Sequence, residues 1–238
     1  MVRKYFFLLL PWIFWSLSVS YNSREWNRTT PETPGGDTLC NFLDEFYFAL
    51  DEADLNFEAM RYAFTGYDLI SNNFRGINDK LITIIDYSMS SSEKRLFVID
   101  LMKRKVIYKT YVAHGKNSGK NLAVSFSNQS QSYKSSLGFF ITGNTYYGRH
   151  GYSLRLSGIE DEINDNAWNR GIVIHAASYV SEDYIHKYGR LGRSFGCPAI
   201  PVNEHEFLIN LIKNRTCLFA YYPDRKYQAD SKYLVTVQ

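Results

Sequence analysis

The sequence predicts an α+β fold: mainly antiparallel strands, helices on the N-terminal side, and two short helices around a glycine-rich loop. Three observations predict it. Short β-branched and aromatic runs separated by polar turns recur from Lys80 to the C-terminal end. Before them, Phe57, Met60, Phe64 and Tyr67 follow the three-and-four spacing of an amphipathic helix. Aromatic residues reach 16 %, 19 of them Tyr, a composition that suits strands.

Taken in order, residues 1–20, "MVRKYFFLLLPWIFWSLSVS", place Arg3 and Lys4 before an apolar run and end in small serines, the pattern of a secretory signal. The run is short for a bilayer span and Pro11 interrupts it, so no stable span is expected once the signal is removed. Residues 21–39 hold two prolines, two glycines and many polar groups, and read as a linker. Residues 40–78 form a helical segment. One helix is expected over Phe42 to Glu52, and a second after the cap Asn56, with Gly66 as its weak point.

Residues 79–238 make one domain. The runs "LITIIDYS", "KRLFVIDLM", "KVIYKTYVAHG", "YSLRLSG", "GIVIHAA", "TCLFAYY" and "KYLVTV" read as strands. The segment from Gly115 to Gly151 is so rich in Ser, Asn, Gly and Tyr that a functional loop is expected there. "SEDYIHKYG" carries Ser181 as N-cap and Gly189 as stop. "NEHEFLINLIKN" carries Asn203 as cap and should bury Phe207, Leu208, Leu211 and Ile212.

At 238 residues the chain supports one substantial core, and its formal charge is only +3. Without residues 1–20, 25 basic residues face 24 acidic ones, which excludes the basic footprint of a nucleic-acid binder. The three cysteines are Cys40, Cys197 and Cys217. In an oxidising compartment an odd count leaves one thiol over; Cys40 and Cys217 could bridge while Cys197 stays reduced.

The chemistry concentrates in "GRLGRSFGCPAIP". A structural thiol normally sits inside an apolar run. Cys197 instead lies between Gly196 and Pro198, with Arg190 and Arg193 nearby to favour a thiolate. The backbone of Ser194, Phe195, Gly196 and Cys197 can turn successive N–H groups toward one point, as an oxyanion site requires. His175 falls at the exit of the apolar run Ile172–Ile174, and the short connection to Cys197 can return the chain over that strand end. A cysteine nucleophile needs such a base.

Other constellations fail. "HEFLIN" has Ile209 where a second zinc-binding histidine would stand, and "GKNSGKN" is one residue short of a phosphate loop. The acidic "EDEINDN" lacks a calcium loop's glycine and reads as solvated surface. No metal and no cofactor are expected.

At these residues the chain resembles the murein L,D-transpeptidase catalytic-domain family. The resemblance is carried by "SSEKRLFVIDL", "YVAHGKNSG", "FSN", "SSLGFFITGNTYYGRHGYSLRL", "IVIHAA" and "GRLGRSFGCPAIP", in one order. It implies a β-sandwich or barrel-like catalytic domain with Cys197 as nucleophile, His175 as general base and the Gly196 and Cys197 backbone as oxyanion donors. It also implies an exported enzyme of the periplasm or cell envelope, acting on peptidoglycan stem peptides at a diamino acid–D-alanine bond. Arg193, Tyr147 and Ser194 are the candidates for holding the stem. Phe195, Ala199 and Ala176 depart from the wider superfamily, where His, Arg and Gly often stand, so a backbone carbonyl is the simplest orienting group for His175. Hydrolysis at the same site, a non-catalytic wall-binding module and a disulfide-linked structural protein stay open beside transfer.

Overall fold

The computed structural model describes residues 36–234. The expected signal at 1–20, most of the expected linker and the side chain of Cys40 lie outside the described residues. Helix α1 (Gly36–Leu50) and helix α2 (Phe57–Asn73) come first. The Asn56 side chain accepts from the N–H groups of Glu58 and Ala59 at 2.8 and 3.2 Å, so the expected cap is formed. Gly66 lies within α2, where its missing side chain lets the helix pack closely on the sheet. A Cβ there would stand 2.1 Å from the Phe139 ring.

Eight strands follow: β1 (Leu81–Asp86), β2 (Leu96–Asp100), β3 (Lys105–Thr110), β4 (Gly138–Gly148), β5 (Gly151–Gly158), β6 (Val173–Ala176), β7 (Ala199–Ile200) and β8 (Cys217–Tyr221). They form one sheet in the order β3-β2-β1-β8-β4-β5-β6-β7. Only β1–β8 and β6–β7 are parallel; the other five neighbouring pairs are antiparallel. The fold is therefore α+β and mainly antiparallel, as the sequence predicts. It is also nearly closed, because the chain running on from β3 reaches the opposite edge. The Ala113 N–H donates to the Ala199 carbonyl of β7 at 2.8 Å.

Both faces of the sheet are buried: Ile82, Ile84, Phe97, Phe139 and Phe219 share the face on which α2 packs, and Val98, Phe140 and Leu218 the opposite one. Phe139 and Phe219 stack with ring centroids 4.3 Å apart. Cys217 is a buried free thiol in β8. Among the described residues no helix is long and apolar enough to cross a membrane.

Five expectations are corrected. The polar segment from Gly115 to Gly151 is not loop throughout. Its second half is β4, the longest strand, whose Phe139, Phe140 and Ile141 are core. The serines and asparagines around that apolar stretch hide it from a composition reading. The run "EDEINDN" is a solvated surface only in part, at Asp161, Glu162 and Asp165. Glu160 and Asn164 are buried and satisfy β4 from one side: Phe139 N–H donates to Glu160 at 2.6 Å, while Asn164 donates to the Leu137 and Phe139 carbonyls. "KYLVTV" is not a strand over Lys232–Leu234, which form a turn after helix α5 (Arg225–Asp230). The rest of that run lies outside the described residues. Helix α4 (His205–Ile212) starts at Glu204 without a side-chain cap, so Asn203 does not cap it. It buries Ile209 while Phe207 is exposed, a shift of its apolar face by one step.

Candidate active site

The site is built where β6 meets β7. The parallel register sets His175 opposite Ala199 and Ala176 opposite Ile200. Cys197 stands two residues before Ala199, so the cysteine loop enters β7 alongside the strand that carries the histidine. Helix α3 (Glu182–Tyr188) makes the return between them. Ser181 caps it through Tyr184 N–H, and Gly189 stops it in the left-handed conformation with φ 70°.

His175 is buried, and its Nδ1 lies 2.9 Å from the Ala176 carbonyl. A carbonyl can only accept, so Nδ1 carries the proton and Nε2 is left as the basic nitrogen. The expected backbone carbonyl thus orients the ring. On its other side His150, in the turn between β4 and β5, stacks with a centroid distance of 4.2 Å. Burial lowers the His175 pKa; the Ala176 carbonyl opposes that and His150 adds to it. The imidazole is therefore neutral at neutral pH.

Cys197 is partly exposed, and its thiol donates to the Gly171 carbonyl at 3.6 Å. Among the described residues no hydrogen bond joins that thiol to His175. Burial raises the Cys197 pKa, while the Val173 N–H and then the Arg170 guanidinium pull it back without cancelling it. Burial thus favours the neutral thiol, as it favours the neutral imidazole.

The cation that acts on the thiol is Arg170, not the arginines next to Cys197 in sequence. Arg170 Nη1 donates to Ser127 O at 2.6 Å and Ser136 Oγ at 2.5 Å. Its Nη2 donates to Lys134 O at 2.6 Å and Ser132 Oγ at 3.2 Å. Those four bonds fix the charge beneath the loop. Arg193 instead donates to the Lys116 and Gly119 carbonyls at 2.9 and 3.0 Å, and Arg190 to the Leu191 carbonyl at 2.7 Å. Both are spent on backbone.

The loop holds itself. Ser194 Oγ donates to Cys197 O at 2.6 Å and accepts from Gly196 N–H at 3.0 Å. Ser194 is thereby an internal strut, buried, with no hydroxyl free for a ligand. Gly196 N–H is committed to that strut, whereas the N–H groups of Phe195 and Cys197 have no partner among the described residues. Gly196 has φ 125°, and a Cβ there would meet the Lys134 carbonyl at 2.8 Å, so only glycine fits. Beneath the loop, Ser194 N–H donates to His114 O at 3.0 Å and Ser135 Oγ to Gly196 O at 3.3 Å.

His114 is itself buried and accepts from Arg95 at 2.8 Å through Nδ1. Tyr147 is 80 % exposed and packs on Tyr152, its cross-strand partner in the hairpin that carries His150. Among the described residues no hydrogen bond or ring contact joins it to the cysteine loop. Among the described residues no cluster of His, Cys, Asp and Glu could hold a metal ion.

A model of the L,D-transpeptidase catalytic domain matches residues 51–221. No curated protein sequence matches the chain. Solved structures similar to it include an L,D-transpeptidase from Mycobacterium smegmatis, with 10 % identity, TM-score 0.38, and 60 % of this chain and 59 % of that one covered. A second is residues 123–326 of the L,D-transpeptidase from Xylanimonas cellulosilytica, with 12 % identity, TM-score 0.36 and coverage of 79 % and 94 %. A third is the helical cell shape determining protein Pgp2 from Campylobacter jejuni, with 15 % identity, TM-score 0.38 and coverage of 74 % and 63 %. The chain spans about 60 % of the length of the first of these. The domain match covers well over half of the sequence and includes every residue of the site just described: this chain belongs to the L,D-transpeptidase catalytic domain family.

Proposed function

We propose that this protein is an exported cysteine L,D-transpeptidase of the cell envelope. Its substrate is the tetrapeptide stem of peptidoglycan, and it cuts the bond between the diamino acid and the terminal D-alanine. The observation that carries the reading is the β6–β7 pairing, which lays the Cys197 loop beside His175 with Nε2 left basic. The secretory pattern of residues 1–20 supports export.

The steps follow from the protonation states. Nε2 of His175 takes the Cys197 proton as sulfur attacks the stem carbonyl; such catalytic contacts tighten when substrate arrives. The oxyanion is met by the Cys197 N–H, joined by Gly196 N–H when Ser194 Oγ releases it. His175 then protonates the leaving amine of D-alanine and a thioester remains. The side-chain amine of a second stem, deprotonated by His175, attacks the thioester and forms the crosslink. Water in place of the amine gives hydrolysis.

Purified protein incubated with disaccharide tetrapeptides and analysed by mass spectrometry tests this. Crosslinked dimers with loss of D-alanine are expected, and the Cys197→Ala variant should form none. Trimmed monomers alone would make the protein an L,D-carboxypeptidase. Activity that survives Cys197→Ala would overturn the reading.

A further inference from the structure

Lys116 carries a cation with no counter-charge at the edge of the cysteine loop. Its Nζ lies 4.2 Å from the Tyr133 ring centroid and 4.5 Å from that of Phe195. The two rings are 5.0 Å apart and inclined by 50°. Both separations are within cation–π range. Among the described residues Lys116 takes part in no ion pair, and its ammonium donates to no oxygen. The rings therefore orient the charge without neutralising it.

The three side chains come from segments that are joined at the backbone. Lys116 N–H donates to Ser194 O at 2.8 Å and Asn117 N–H to Tyr133 O at 3.1 Å. Arg193 holds the Lys116 carbonyl, and the Lys134 carbonyl lies against Gly196. Phe195 is two residues before Cys197 and is 68 % exposed, although the loop around it is buried. A surface lysine is ordinarily hydrated and free to move. This one is held by two rings, one of which belongs to Phe195, two residues before Cys197.

We propose that Lys116, Tyr133 and Phe195 form a subsite for the terminal carboxylate of the donor peptide. The inference rests on the function proposed above, because the leaving amino acid there ends in an α-carboxylate one carbon from the scissile nitrogen. That carboxylate supplies the charge Lys116 lacks, and the ring faces exclude water from the pair. An acceptor ammonium would be repelled by the resident cation. The consequence is selectivity for stems with a free C-terminal carboxylate.

The test uses the whole protein and two reagents, bromoacetyl-D-alanine and its C-terminal amide. Each alkylates Cys197 with a new sulfur–carbon bond and loss of bromide, and intact-mass spectrometry follows the rate. The acid should react about fivefold faster than the amide at low salt, with the ratio shrinking at high salt. Lys116→Met should bring the ratio to about one, and Phe195→Leu should lower it. Equal rates in the wild type, or a preference that survives Lys116→Met, would overturn the inference. A Lys116-dependent preference without turnover of stems leaves this subsite standing and removes only the proposed reaction. Turnover of stem acid and stem amide at equal rates removes only this subsite.

Discussion

Cys197 was legible because its immediate neighbours are unusual. A thiol between Gly196 and Pro198 does not belong to an apolar run, and the structure explains why Gly196 is needed there. The charge on that thiol was not legible. Arg190 and Arg193 are adjacent in sequence but donate to carbonyls, while Arg170 reaches the loop from the turn before β6. Electrostatic work depends on distance in space, which sequence separation does not report. Arg170→Gln should therefore move the pH midpoint of Cys197 alkylation by iodoacetamide upward, by roughly half to one unit. Arg190→Gln should leave it in place. A pH series of alkylation rates checks both, and Arg170→Lys should recover part of the shift.

Among the elements, strands with continuous apolar runs and helices with side-chain caps could be read locally. β1, β6, α2 and α3 are of this kind, since each signal lies within a few residues of the element it specifies. β4 escapes a local reading because its core residues are bracketed by serine, asparagine and glycine. Its position is secured from afar by Glu160, which accepts from Phe139 N–H, from Ser231 Oγ and from the Tyr227 hydroxyl at 3.3 Å. Removing that carboxyl strands three donors in the interior. Glu160→Ala should cost about 2–4 kcal/mol of stability, read as a lower urea midpoint with an unchanged slope. Glu160→Gln, which still accepts, should cost less.

For the molecule as a whole, the buried polar layer beneath the cysteine loop makes folding sensitive to acid. Burial first, and then Arg95, lowers the His114 pKa to about 3, with Arg193 and Arg190 acting in the same direction and the Gly119 carbonyl opposing. In the unfolded chain this histidine titrates near its ordinary value of about 6.5. The unfolded state therefore binds a proton that the folded state refuses. Stability from this source is complete above that ordinary value and is lost as pH falls toward the folded one. The slope approaches about 1.4 kcal/mol per pH unit. Burial displaces His175 in the same direction and adds to the effect. Urea midpoints measured from neutral to acid pH should fall accordingly. His114→Gln, which can still accept from Arg95, should flatten that dependence.

The amino-acid order alone carried the fold class, most strand runs, the helix caps at Asn56 and Ser181, and the pairing of a thiol with an imidazole as the chemistry to look for. Those are local properties: backbone preference, side-chain periodicity and the environment created by adjacent residues. Folding in three dimensions assigned the rest. It tied His175 Nδ1 to a carbonyl, turned Ser194 inward, sent Arg170 beneath the sulfur and gathered Lys116, Tyr133 and Phe195 at one edge. Each of these depends on hydrogen bonds and charges between segments far apart in the chain, and only strand register and loop closure bring such segments within reach.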